Sequence, residues 1–256
     1  MKQLLDGKFW PATVSYGFYL LPLDELVAAF EKWWTTFGWL GPPPGFSVDR
    51  FDADLAGALQ RMDPVGFTSG PPQCYGRRQV LLLETKSRWS AIFVGEYSGP
   101  QSEIRHLART IPCKAVHIVC VDDTYNAKRD IGEYGSVQFL LRGPARDESQ
   151  DRTIAAVRDT SGWEFQNNGA LLPFEHPDRY KARRVKDRLT QELLEEYCIA
   201  MGIRPFDEDF YGPRVALFYA LNPIPPGYRP WTFDDIRRER EKERQEVAKR
   251  MNDPLA

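Results

Sequence analysis

The amino-acid sequence predicts an α+β fold: a largely antiparallel sheet flanked by helices, with a charged helix at the C-terminal end. Three observations carry this expectation. Short apolar, β-prone runs cluster from Arg78 to Gly169 and are separated by turn-forming residues. Residues 134 to 174 leave no room for the crossover helices that a doubly wound parallel sheet requires. Helix-periodic segments lie on both sides of this region, from Leu23 onward and again past Pro173.

Leu23, Leu26, Val27, Phe30, Trp33, Trp34 and Phe37 recur at three- and four-residue steps, which predicts one apolar helical face ended by Gly38. Asp24 and Glu25 suit its first turn, where the backbone dipole is positive. The three prolines of GPPPG, residues 41 to 45, lack amide donors and make a rigid connector. A second helix is expected from about Val48 to Met62, then the loop GFTSGPPQCYG. RQVLLLE and RWSAIFV read as strands joined by a hairpin at ETKS. SEIRHLART reads as a short helix with Ser102 as its candidate cap, ahead of the strand KAVHIVCVD. SVQFLLR, RTIAAVRD and WEFQNNG extend the meander, the last two joined at Thr160-Ser161-Gly162.

Past Pro173 two helices are expected, PDRYKARRVKDR and TQELLEEYCIAMG. In the second, Thr190 caps, Leu193, Leu194, Tyr197 and Met201 form a stripe, and Gly202 stops the helix. RVALFYALN reads as a further strand, and the Pro-rich residues 222 to 230 as a second spacer. The closing FDDIRREREKERQEVAKRM is a charge-balanced helix nearly without an apolar stripe. This organisation gives one α+β domain over residues 1–231, with an N-terminal helical part (1–76), a sheet-rich part (77–175) and a helical part (176–231). The charged C-terminal helix follows at 232–256.

The 256 residues carry 34 basic and 36 acidic side chains, a formal charge of −2. That balance argues against nucleic-acid binding by bulk phosphate neutralisation. A content of 42% hydrophobic and 13% aromatic residues argues for a folded chain. Cys74, Cys113, Cys120 and Cys198 form no CxxC pair, so reduced cysteines in a cytoplasmic protein are expected, with neither a zinc knuckle nor a disulfide scaffold. No apolar run reaches the roughly 18 residues of a membrane span, and no membrane association is expected.

Chemistry-bearing residues are sparse. Asp63 followed by Glu84-Thr85-Lys86 has the order of a metal-dependent nuclease site, in which two carboxylates hold a divalent ion and a lysine orients water. An exposed hairpin turn also accounts for Glu84 and Lys86 there. His106, His117 and His176 have no metal-ligand spacing, and on a strand His117 and Cys120 point to opposite faces. No GxSxG elbow or phosphate-cradling glycine loop occurs, and no cofactor or bound metal is expected.

Charge clusters are more prominent. Asp178 to Arg188, including Arg183 and Arg184, holds six basic residues against two acidic ones. The acids Asp122 and Asp123, Glu192, Glu195 and Glu196, and Asp207, Glu208 and Asp209 form the complement. Such clusters steer association with an oppositely charged protein, although most serve solubility. Among the tryptophans, Trp39 beside GPPPG is the candidate for an exposed contact, whereas helical spacing places Trp33 or Trp34 in the core.

One stretch, WEFQNNGALLPFEHPDRYKARRVKDRLTQELLEEYCIAMGI (residues 163–203), combines a W-x-F hairpin, a turn at Gly169, PFE, a Tyr-led basic helix and a Leu-rich helix ending in Gly-Ile. It resembles small uncharacterised bacterial α+β proteins, some of the toxin-immunity type. Its motifs are structural and carry no catalytic residue. The resemblance implies an immunity-type protein, and with the scarcity of motifs and the charge clusters it points to a non-enzymatic interaction module that neutralises a toxin by direct binding. The charge clusters and Trp39 supply the candidate contacts, Asp122, Asp123, Glu192, Glu195, Glu196, Asp207, Glu208, Asp209, Arg183, Arg184 and Trp39. Two alternatives stand beside it: a metal-dependent nuclease or hydrolase using Asp63, Glu84 and Lys86, and a scaffold that oligomerises through the C-terminal helix.

Overall fold

The β-prone runs assemble side by side. In the computed structural model, which describes residues 2–36, 45–62, 79–95, 99–127, 131–144, 147–220 and 231–252, nine strands form one sheet. They are β1 (Ser15–Tyr19), β2 (Phe46–Asp52), β3 (Gln79–Thr85), β4 (Ser90–Val94), β5 (Ala115–Val121), β6 (Ser136–Arg142), β7 (Arg152–Asp159), β8 (Gly162–Asn168) and β9 (Tyr211–Ala220). Their order is β2-β9-β3-β4-β1-β5-β6-β7-β8, and every neighbouring pair is antiparallel. Among the described residues five α-helices accompany the sheet: α1 (Leu23–Thr36), α2 (Leu55–Gln60), α3 (Gln101–Thr110), α4 (Gln191–Ala200) and α5 (Phe233–Asn252). This is the α+β architecture that the sequence predicts.

Strand alternation sorts the core onto the two faces of the sheet. On one face, Leu26, Phe30, Trp33 and Trp34 of α1 and Ile104 and Leu107 of α3 cover Val80, Leu82, Ile92 and Phe218. On the other, α2, α4, the start of α5 and the N-terminal segment cover Leu81, Leu83, Phe93, Ile118 and Phe139. Each such side chain contributes about 1.5–3 kcal/mol when fully buried. His117 and Cys120 do lie on opposite faces. Cys120 packs against the α4-side core, while His117 sits with Ser15 on the other side.

Three local expectations are corrected. Residues 46–52 are the edge strand β2 rather than the start of a helix. Val48 and Phe51 satisfy a helical step, but the chain instead forms a ladder with β9 from Phe46–Ala220 to Asp52–Arg214. Helix begins only at Leu55, where the Asp54 side chain accepts from the Gly57 amide at 2.7 Å. Strand β1 gives no period-2 signal because it is buried on both faces. The basic segment 178–188 is not a helix but two single 3₁₀ turns, Arg179–Lys181 and Val185–Asp187. Tyr180 is buried there, and the Arg188 Nε donates to the Ala182 carbonyl at 3.0 Å. Helix α3 is capped by Pro100 rather than Ser102, which lies inside it.

Helix α5 starts with a reciprocal cap: the Asp235 amide donates to Thr232 Oγ1 at 3.1 Å, and Asp235 Oδ2 accepts from the Thr232 amide at 3.0 Å. Phe233 and Ile236 are buried in the α4-side core, and the Phe233 ring meets Phe9 edge-on at 5.2 Å. Arg240 lies over the Trp10 ring at 4.0 Å and pairs with Glu133 at 2.7 Å. Beyond it residues 241–246 are exposed. The charged helix is therefore rooted in the core and projects from it. No helix among the described residues is long and apolar enough to cross a membrane.

Candidate functional site

Helix α4 has both ends specified by local sequence. Thr190 Oγ1 accepts from the Leu193 amide at 3.4 Å, and Glu192 occupies the first turn, where the dipole favours an acid. At the other end Gly202 takes a positive φ of 81°, the Gly202 amide donates to the Ile199 carbonyl and the Ile203 amide to the Cys198 carbonyl, each at 2.9 Å. This is the pattern in which a left-handed glycine closes a helix over a buried apolar residue. Thr190→Ala is expected to destabilise the protein by about 1 kcal/mol, read from the shift in a urea unfolding midpoint.

The helix divides sharply. Leu193, Leu194, Tyr197 and Cys198 are buried. Glu192, Glu195, Glu196 and Ile199 recur at i, i+3, i+4 and i+7 and share the outer face. Ile199, at the C-terminal end of this row, is 54% exposed, an unusual position for a large apolar side chain. Asp122, from the end of β5, lies beside this face. Burial raises the Cys120 thiol, and the nearby charges of Asp122, Glu192 and Glu195 push it further in the same direction.

The N-terminal segment threads between the two acidic elements. The Lys2 amide donates to Gln191 Oε1 at 2.7 Å, Gln3 Nε2 to Asp122 Oδ2 at 3.0 Å, and Lys2 Nζ lies 3.7 Å from Glu195. On the far side, His176 Nε2 lies 2.6 Å from Glu196 Oε1. A groove of about 480 Å³ runs there between α4 and residues 175–179, lined by Glu192, Glu196, His176 and Asp178.

The chain matches no family model, no curated protein and no solved structure. What the site can do rests on its own residues.

A buried network fixes the groove's second wall. Arg152, 1% exposed at the start of β7, donates from Nε and Nη2 to the Glu175 carboxylate at 2.7 and 2.6 Å. Its Nη1 donates to the carbonyls of Asn168 and Gly169 at 3.0 and 3.3 Å. Glu175 also accepts from the Leu172 amide and from the Tyr180 hydroxyl, which lies 3.0 Å from the Tyr197 hydroxyl of α4. Burial alone would raise the Glu175 carboxyl, but the guanidinium and these donors hold it below its ordinary range. Loop and helix are thereby one rigid unit. Nothing in the local sequence announces the pairing, because Arg152 and Glu175 are 23 residues apart.

The other expected contacts fall elsewhere. Asp123 is held by Arg158 at 2.8 Å, Asp207 caps the turn Glu208–Phe210 and lies 3.7 Å from Arg204, and Glu208 and Asp209 are exposed within that turn. Arg183 and Arg184 are exposed, and Arg184 pairs with Asp187. Trp39, Asp63 and Cys74, with residues 41–44 of GPPPG and residues 222–230, lie outside the described residues.

Of the catalytic candidates, Glu84 receives two hydrogen bonds from Arg214, at 3.1 and 2.7 Å, which hold its carboxyl below its ordinary range. Arg214 also reaches Asp24 at 2.9 Å. The Lys86 amide donates to the Phe210 carbonyl at 2.8 Å. Among the described residues no three His, Cys, Asp or Glu side chains are grouped to hold a metal ion.

A second pair has no signal in the sequence. Ser15 Oγ lies 2.8 Å from His117 Nε2, both residues are buried, and His117 Nδ1 is enclosed without a hydrogen-bond partner. Only the β1–β5 ladder, which sets Gly17 opposite His117, brings them together.

Proposed function

We propose that this protein is a non-enzymatic, cytoplasmic interaction module of bacterial immunity type that neutralises a toxin by direct binding through the outer face of α4. The observation that carries this reading is the set Glu192, Glu195, Glu196 and Ile199, three carboxylates leading to one exposed apolar side chain at the end of a helix fixed at both ends. An exposed apolar side chain beside charged groups offers a partner both an anchor and a steering field. The acids attract a basic surface over the last ångströms of approach, and the rigid Arg152–Glu175 network leaves little ordering to be lost on binding.

The physiological test is loss of the gene followed by re-expression. Cells lacking the protein become sensitive to a toxin encoded beside it, wild-type chain restores resistance, and Glu192→Lys/Glu196→Lys does not. Equal protection by wild type and variant contradicts the role of α4. Undiminished resistance without the protein contradicts the immunity reading altogether.

A further inference from the structure

Strand β8 is an edge: β7 pairs with it on one side, and among the described residues no strand lies on the other. An edge strand offers a row of amides and carbonyls to any extended backbone that comes beside it. The devices that usually guard such an edge are scarce here. Its seven residues include one charge, Glu164, and no proline, and the register with β7 runs unbroken from Thr153–Asn168 to Asp159–Gly162. On the α4 side of the sheet a groove of about 470 Å³ adjoins the strand, lined by Phe165, Leu171, Pro177 and Tyr180, with Leu171 55% exposed at its lip.

We propose that β8 pairs with β8 of a second copy of this chain, about a two-fold axis normal to the sheet, so that two nine-stranded sheets become one. This inference is independent of the partner-binding role given to α4. Symmetry restricts the register. Residues opposed across such an axis must share a face of the sheet, so the ladder has to be centred on a residue. Full overlap of Gly162–Asn168 centres on Phe165, setting it against Phe165 of the second copy, Glu164 against Gln166, and Trp163 against Asn167.

No like charges meet, and each Glu164 faces an amide that can donate to it. Centring on Glu164 would oppose two carboxylates. Centring on Gln166 would carry the ladder into Gly169, whose φ of 92° leaves the extended region. The same construction at the opposite edge, β2, centres on Asp49 and sets it against its own copy. Charge complementarity therefore selects β8 over β2.

Light scattering and sedimentation of the full chain over a range of concentrations test this. The wild type is expected to be a dimer in equilibrium with monomer. Gln166 is exposed, so two opposite substitutions are available that leave the monomer's fold intact, as far-ultraviolet circular dichroism of dilute samples verifies. Gln166→Lys places an ammonium opposite Glu164 at both ends of the symmetric ladder and tightens the dimer. Gln166→Glu places a second carboxylate there and weakens it. Each change is roughly two- to thirty-fold in the dimer dissociation constant, smaller at high salt. A monomer at every concentration overturns the proposal. So does a dimer indifferent to both substitutions, including one abolished only by ending the chain after Arg240.

Discussion

Replacing Arg152 by alanine is expected to cost about 3–5 kcal/mol of folding free energy, as is replacing Glu175 by alanine. Each leaves the other charge buried without its counter-ion. Both side chains are within 1% of full burial, and the geometry is the two-pronged fit of a guanidinium to a carboxylate. Arg152→Ala also strips a donor from the Asn168 and Gly169 carbonyls, and Glu175→Ala orphans the Leu172 amide and the Tyr180 hydroxyl.

The pair acts as a unit, so Arg152→Ala/Glu175→Ala should cost well under the sum of the single changes. Equilibrium urea unfolding measures all three variants. Single costs under about 1 kcal/mol would mean that water reaches the pair and that the 168–180 loop is not held as described.

The second large effect is a loss of stability on mild acidification. Burial, together with the nearby charge of Arg142, pushes His117 down to about 4. Above an ordinary histidine pKa of about 6.5 the ring is neutral in both folded and unfolded chains, and its contribution is fully present. Between about 6.5 and 4 the unfolded chain takes up the proton and the folded chain does not, so stability falls as pH falls.

The full loss is on the order of 3 kcal/mol, most of it before the carboxylates titrate. Stability measured from about pH 7 to about 4.5 should show this slope, and His117→Gln should flatten it. A wild-type profile that is flat across that window would mean that the imidazole is hydrated or paired in the folded state.

How far the sequence can be read follows from what each residue reports locally. Strands β3 to β8 are legible because apolar residues alternate or run together between turn residues, and from β6 to β8 no crossover helix fits between them. Strand β1 is not, since SYGFY is buried on both faces and its alternation carries no contrast. Strand β2 looks helical because Val48 and Phe51 suit a helical step and two sheet faces equally, and only the distant β9 decides between them.

The acidic ladder of α4 is visible, because its caps and its period all lie between Thr190 and Ile203. The exposure of Ile199 is not, since it depends on the absence of a neighbour. Arg183 and Arg184 belong to a basic run with helical composition, which the burial of Tyr180 replaces with separate turns. Asp122 joins the α4 face only through the sheet, and Ser15–His117 and Arg152–Glu175 likewise exist only once the strands are paired.

The measurement closest to the central claim compares what the wild-type chain and Glu192→Lys/Glu196→Lys retain from the cells that make the protein, at low and high salt. Both substituted positions are exposed, but Glu192 lies in the first turn of α4 and Glu196 beside His176, so the variant should lose about 1–2 kcal/mol of stability and still be folded. The account predicts one basic protein held by the wild type at low salt, released as salt screens the contact, and absent from the variant. Retention of the same protein by both chains at the same salt would contradict it.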